Sequence, residues 1–230
     1  MRRYRRKRKN NKIIIIGSLS LLLCLCVGYA AFSTNLTITA KGNIKEPSRV
    51  IMEFPWATSK YFYSDYYKKT IISATFLDTN NVPSNATESW DVSEDNKGGV
   101  KAWVVPNNDD STKYDLYIGA NGGVIANEIS WMLFFNMLAL ESINFNDNFD
   151  TSNVIDMSWM FAGSNSLTSL DLSGFDTSNV QSMRGMFTRW DPIANAFGSS
   201  SLQNIIFGDN FTTKNVTNMV DMFSGFRGTS

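Results

Sequence analysis

Three segments of this 230-residue chain are nearly the same: FDTSNVIDMSWMF from Phe149, FDTSNVQSMRGMF from Phe175 and FTTKNVTNMVDMF from Phe211. The first two start 26 residues apart and the third 36 residues later. A period in the twenties restricts the fold more than any single residue does, because it marks a stack of units too small to fold alone. Each unit offers about seven apolar side chains, worth ~1.5–3 kcal/mol apiece when buried. Ordering its backbone costs ~1–2 kcal/mol per residue, so only contact with neighbouring units completes its core.

The alternation of Leu170 and Leu172 suits a strand, and Leu202, Ile205, Phe207 and Leu140, Ile143, Phe145 repeat the spacing. A fourth, degenerate unit therefore precedes the three, with Ser130-Trp131-Met132 echoing Ser158-Trp159-Met160. An Asp/Thr/Ser/Asn corner follows each strand and suits a helix start. Val154, Met157 and Phe161 then fall at i, i+3 and i+7, as do Val180, Met183, Phe187 and Val216, Met219, Phe223. The spacing predicts one face of a short helix in each unit. The expectation is an α+β repeat, a solenoid with strand, capped corner, short helix and loop in each turn, its methionines serving as core filler.

The zero net charge conceals segregation. Residues 1–12 hold eight Arg or Lys and no acid, so the rest carries 13 basic and 21 acidic residues. An acidic body argues against a nucleic-acid partner. A charge-free run from Ile13 to Ala40 follows the basic block, opening IIIIGSLSLLLCLCV and reaching Gly28-Tyr29-Ala30. That is the layout of a secretory signal, with cleavage expected between Ala30 and Ala31. Ile13 to Phe32 is also about long enough to span a bilayer, so an uncleaved anchor stays open. Either way the basic end remains cytoplasmic and the rest is exported, to the cell surface or as a secreted protein.

Cys24 and Cys26 are the only cysteines and lie in the apolar segment, so the exported part has no disulfide. The chain has no His, which removes Ser-His and Cys-His nucleophile chemistry and His metal ligands. No phosphate-cradling Gly loop, CxxC, HExxH or GxSxG motif is present. The acids between Asn144 and Asp150 break EF-hand spacing at Asp147, Phe149 and Thr151, so a capped turn is the better reading. Asp150 and Asp176 recur at one repeat position, which points to a structural hydrogen bond rather than a catalytic pair. No catalytic residue, metal or cofactor is expected.

Four regions follow from this pass: a signal or anchor over 1–30, a strand and irregular linker over 31–69, a β-rich cap over 70–128 and repeats over 129–230. Within the cap, Thr70–Leu77, Gly99–Val105 and Lys113–Gly119 read as strands of a mainly antiparallel region. Fourteen residues separate Phe187 from Leu202, where five separate Phe161 from Leu167. The extra loop contains Trp190 and Phe197, which either fold back on the repeats or contact a partner.

The unit LTSLDLSGFDTSNVQSMRGMF resembles the repeat of the BspA-like leucine-rich-repeat surface proteins of bacteria, in the subgroup with DTSNVxxMxxMF. VPSNATESWDVS, GGVKAWVV and YDLYIGANGGVIAN in the lead-in resemble theirs too, so the similarity spans roughly residues 70–226. It implies a leucine-rich-repeat-like right-handed solenoid exposed at the cell surface, and loosely implies adhesion or binding of host and matrix proteins. It brings no catalytic residues. The repeats are few, and the sequence stops at Ser230 without a C-terminal cap or wall-sorting signal, so a short gene and a truncated product both stay open.

The functional expectation is an exported, non-enzymatic surface protein that binds extracellular proteins, matrix or cell-wall components. The alternative is a structural envelope component with no dedicated ligand. Candidate contacts are Trp190 and Phe197 in the loop and Ser169, Asp171 and Ser173 on the outward face of a repeat strand. Exposed aromatics beside that polar ladder would favour binding.

Overall fold

A computed structural model describes residues 50–55, 61–191, 196–197 and 201–226. The expected cleavage site at Ala30 and Ala31, the apolar N-terminal segment and the strand expected within 31–45 lie outside these residues.

Among the described residues twelve strands follow in order: β1 (Val50–Ile51), β2 (Ile71–Leu77), β3 (Glu88–Asp91), β4 (Val100–Pro106), β5 (Tyr114–Ala120), β6 (Val124–Ile125), β7 (Ser142–Asn144), β8 (Phe149–Asp150), β9 (Ser169–Leu172), β10 (Trp190–Asp191), β11 (Ala196–Phe197) and β12 (Asn204–Phe207). Helical conformation is confined to Pro55, a 3-10 turn at Tyr61–Tyr63 and a four-residue helix α1 (Asp65–Lys68) among the described residues. Ser64 caps α1, accepting from the Tyr67 N–H.

The α+β, leucine-rich-repeat-like right-handed solenoid with an antiparallel cap is not the fold. The described chain is β-sheet and turn, arranged in mixed sheets. The largest sheet runs β3-β4-β5-β2-β7, with β3-β4 and β4-β5 antiparallel but β5-β2 and β2-β7 parallel. Its strands β2, β4 and β5 match the expected segments within a residue, yet β2 lies parallel to β5 rather than antiparallel. A parallel three-stranded sheet, β1-β6-β8, joins residues far apart in sequence.

The short helices are also absent, and the reason lies in the backbone. Over residues 157–164 the N–H groups alternate between two tasks. Met160, Ala162 and Ser164 donate to the carbonyl three residues back, closing tight turns. Met157, Trp159, Phe161 and Gly163 donate instead to Ser182, Arg184, Met186 and Thr188 of the next repeat. Half the donors that a helix would bond internally are thus bonded between repeats. Met132, Trp159, Gly185 and Asp221, equivalent positions in four successive segments, adopt φ between 59° and 62°, outside the right-handed helical region. Isolated parallel bridges Ile129–Asp156, Asp156–Ser182 and Ser182–Asn218 hold these segments in register.

Side-chain direction follows the pattern even where backbone type does not. Val154, Met157, Phe161, Val180, Met183 and Phe187 are buried. So are Leu170 and Leu172 on β9, while Ser169, Asp171 and Ser173 are exposed. One apolar cluster runs from Ile71, Phe76 and Leu116 in the large sheet through Phe134 and Met157 to Met222. Along it a column of rings, Phe134–Phe161–Phe187–Phe223, stacks nearly parallel at 5.9, 5.9 and 5.2 Å.

Candidate functional site: an acidic groove between two sheets

β7 is the edge strand of the large sheet, and β9 pairs in parallel with β12 in a separate sheet. The two strands lie side by side with no ladder between them. Where they diverge, a groove of about 630 Å³ opens between the corner after β7 and the corner after β9.

The first wall is Ile143 to Asp147. Asn146 and Asp147 take successive positive φ values of 49° and 55°, which Asn and Asp tolerate better than most residues. The Asn144 Oδ1 accepts from the Asn146 N–H at 3.1 Å, and the Asn146 Nδ2 donates to the Phe76 carbonyl at 3.2 Å. These bonds turn the chain sharply and leave the Asp147 carboxylate at the rim.

The opposite wall is Asp171, Ser173, Gly174 and Asp176. Asp171 accepts from the Ser173 N–H at 2.9 Å, and the Ser173 hydroxyl and amide together hold its carboxyl below the usual range. Asp176 accepts from the Ser178 N–H at 2.9 Å, and Asp150 from the Ser152 N–H at 3.0 Å. Thr151 ties the two corners together: its hydroxyl donates to the Asp176 carbonyl at 3.0 Å and accepts from the Asp176 N–H at 2.9 Å. A Cβ at Gly174 would stand 3.4 Å from the Asp147 Oδ1, an ordinary contact distance, so the two corners approach each other here.

Phe145, Phe149 and Phe175 form the floor. Phe145 stacks on Phe149 at 5.6 Å and meets Phe175 edge-on at 4.8 Å. Four carboxylates, Asp147, Asp150, Asp171 and Asp176, line the groove, and among the described residues no Lys or Arg does. Among the described residues no three His, Cys, Asp or Glu side chains are placed to hold a metal ion. Such a groove can exclude anions and attract cations, and it offers the half-buried Phe145 ring to an aliphatic stem or a flat cationic group, Phe149 and Phe175 being buried beneath it.

Of the residues singled out in the sequence, Asp171 and Ser173 line this groove, and Ser169 is exposed on the same strand. Trp190 and Phe197 are brought together elsewhere, as backbone partners in the antiparallel pair β10-β11. In sequence, Asp147, Asp150 and Asp176 are corner residues only. Asp150 and Asp176 do accept local bonds from Ser152 and Ser178, but the gap between β7 and β9 turns the corners toward each other. Among the described residues no helix is long and apolar enough to cross a membrane.

Neither a curated protein nor a solved structure matches the chain. The repeat-bearing part, residues 132–228, matches the family described as "Mycoplasma protein of unknown function, DUF285".

Proposed function

We propose that this is an exported, non-enzymatic cell-surface protein of the BspA-like, DTSNVxxMxxMF type, and that its groove binds an extended, positively charged segment of an extracellular or matrix protein. The groove carries the reading: four carboxylates and, among the described residues, no cation along two walls, above the half-buried ring of Phe145. A Lys or Arg laid across it gains charge pairing at the rim, while its stem packs on that ring. Cation–π contact adds ~0.5–1 kcal/mol at exposed sites and up to ~2 kcal/mol where water is excluded. The acidic body, net −8 outside residues 1–12, would speed encounter with a basic partner.

Catalysis has less support. A carboxylic general acid needs a raised pKa, whereas hydrogen bonds from Ser173 lower that of Asp171. Export rests on the basic and apolar N-terminal pattern, and the DUF285 match over the repeats agrees with the BspA-like resemblance.

The test immobilises the full chain and titrates Lys/Arg-rich and Glu-rich peptides at several salt concentrations. The basic peptide should bind, weaken with salt, and lose roughly tenfold in affinity on Asp147→Asn/Asp171→Asn. Equal binding of both peptides, or a double variant that binds as well as the parent, would remove the groove reading and leave the structural alternative.

A further inference from the structure

From residue 27 onward the chain has no cysteine, so no disulfide braces the sheets and repeats. Tyrosine offers another oxidative cross-link, and the large sheet holds a pair placed for it. Tyr66 stands on α1 and Tyr114 opens β5, 48 residues apart in sequence. Their hydroxyl oxygens lie 3.3 Å apart, and their rings meet edge-on with centroids 6.1 Å apart.

Hydrogen bonds hold the two backbones together. The Tyr114 N–H donates to the Thr70 carbonyl at 2.9 Å, the Thr70 hydroxyl to the Tyr66 carbonyl at 2.9 Å, and the Lys113 Nζ to the Lys69 carbonyl at 3.3 Å. The side chains are freer. Tyr66 is 56 % exposed and Tyr114 half-buried, so both rings are open to an oxidant, and an exposed ring changes rotamer within nanoseconds. The neighbouring tyrosines are placed differently: Tyr63 and Tyr67 are buried, and Tyr61 tilts against Trp90 at 6.3 Å. Tyr67 meets Tyr66 edge-on at 5.1 Å, Tyr114 at 5.6 Å and Trp90 at 5.3 Å. These contacts make a continuous row of rings, along which a radical formed on Trp90 or Tyr67 reaches the exposed pair.

We infer that Tyr66 and Tyr114 form a site of oxidative cross-linking, joined ring to ring by a peroxidase-class one-electron oxidant that consumes hydrogen peroxide. Each phenol gives up one electron and its hydroxyl proton, leaving a radical shared with the ring carbons beside the oxygen. The two radicals couple through one such carbon on each ring. A carbon–carbon bond forms, the C–H bond at each coupled carbon breaks, and that proton restores each hydroxyl. Two electrons and two protons leave in all, and they reduce one hydrogen peroxide to two waters. The product ties α1 to β5 and closes the loop between them, so it restricts the unfolded chain as a disulfide would. The inference does not depend on the acidic groove.

The test treats the full chain in mild detergent with peroxidase and hydrogen peroxide and maps linked peptides by tandem mass spectrometry. Tyr66–Tyr114 should be the dominant link, formed within single chains at a yield that dilution does not change. The linked chain should unfold at a urea midpoint raised by ~1 M. Tyr66→Phe forfeits only an exposed hydroxyl contact, so it should fold as the parent does while losing both the link and the oxidative gain in stability. Tyr61→Phe should keep both. Three results would overturn the inference. These are links chiefly between chains or at other tyrosines, a Tyr66–Tyr114 link formed equally well in the urea-unfolded chain, or the same gain in stability in oxidised Tyr66→Phe.

Discussion

The phenylalanine column allows one residue type to be tested at two depths. Phe161 is 4 % exposed and lies between Phe134 and Phe187, each 5.9 Å away with interplanar angles of 5° and 2°. Phe223 is 43 % exposed, stacks on Phe187 at 5.2 Å and meets Phe226 edge-on. Replacing a fully buried Phe by Ala costs ~3–5 kcal/mol, the sum of lost transfer free energy and the cavity left behind. A ring that already keeps nearly half its surface in water leaves no closed cavity, so Phe223→Ala should cost about 1–2 kcal/mol. Against a total stability of ~5–15 kcal/mol, the first loss is large and the second modest. Urea denaturation of the full chain, followed by tryptophan fluorescence, separates them. With a slope of ~2 kcal/mol/M, Phe161→Ala should lower the midpoint by ~1.5–2.5 M and Phe223→Ala by ~0.5–1 M. Equal shifts at unchanged slope would mean that the last ring is as well covered as the internal one. That would refute the stacking argument.

Other perturbations test separate parts of the chain. Met183→Asp buries an unpaired carboxylate and should cost several kcal/mol, whereas Arg184→Asp forfeits only a stack over Trp159 at 5.9 Å and should cost ~0.5–1 kcal/mol; thermal melting compares the two. Gly208→Ala would put a Cβ 1.9 Å from the Ser173 carbonyl oxygen and should lose ~1–3 kcal/mol, while Gly174→Ala meets only the Asp147 carboxylate at 3.4 Å and should leave the midpoint unchanged. Burial, and then the charge of Glu53, push the Tyr63 hydroxyl well above its ordinary value, and that hydroxyl has no hydrogen-bond partner among the described residues. A raised folded pKa gives stability that is complete below pH ~10 and is lost as pH rises above it. Tyr63→Phe should therefore melt ~1 kcal/mol more stably at pH 7 and lose less between pH 9 and 11 than the parent; an identical alkaline loss in both would contradict the assignment.

Inward and outward faces are legible in the sequence, because burial depends on side-chain chemistry, and Met157, Phe161, Leu170 and Leu172 are all buried. Backbone type is not legible from the apolar spacing. Apolar residues at i, i+3 and i+7 over eight residues fit a helix, but they fit equally a run of tight turns that sends every second N–H to a neighbour. The discriminating signal is positive φ at two repeat positions. Two residues after the Phe stand Gly163 and Gly225, with Asn136 at φ 57° filling that position in the degenerate first repeat, as a residue type that tolerates this conformation. Two residues before the Phe, Gly185 takes the place of Met132, Trp159 and Asp221. Glycine at either position is a turn requirement that a helix would penalise, and it outweighs the helical spacing of the residues around it.

The groove is illegible for a different reason. Asp150, Asp171 and Asp176 each make a local turn bond, and that is all a linear pattern reveals. Whether they face one another depends on a failure of pairing. β7 is claimed by β2 through Ser73–Ser142, Ala74–Ile143 and Thr75–Asn144, which ties it to the large sheet. β9 is claimed by β12 over four residue pairs, beginning with Ser169–Asn204. Each strand has a full ladder on one side, and the two sheets twist independently because no hydrogen bonds couple β7 to β9. The lead-in region therefore does more than cover the first repeat. By taking β7 into its own sheet it breaks the ladder at the first junction, and the corners of Asp147 and Asp171 form a cleft there. At the next junction β9 and β12 stay paired and their corners stay closed, with Gly208 packed against the Ser173 carbonyl. A variant that let β9 pair with β7 would be expected to lose the groove while keeping every one of its residues.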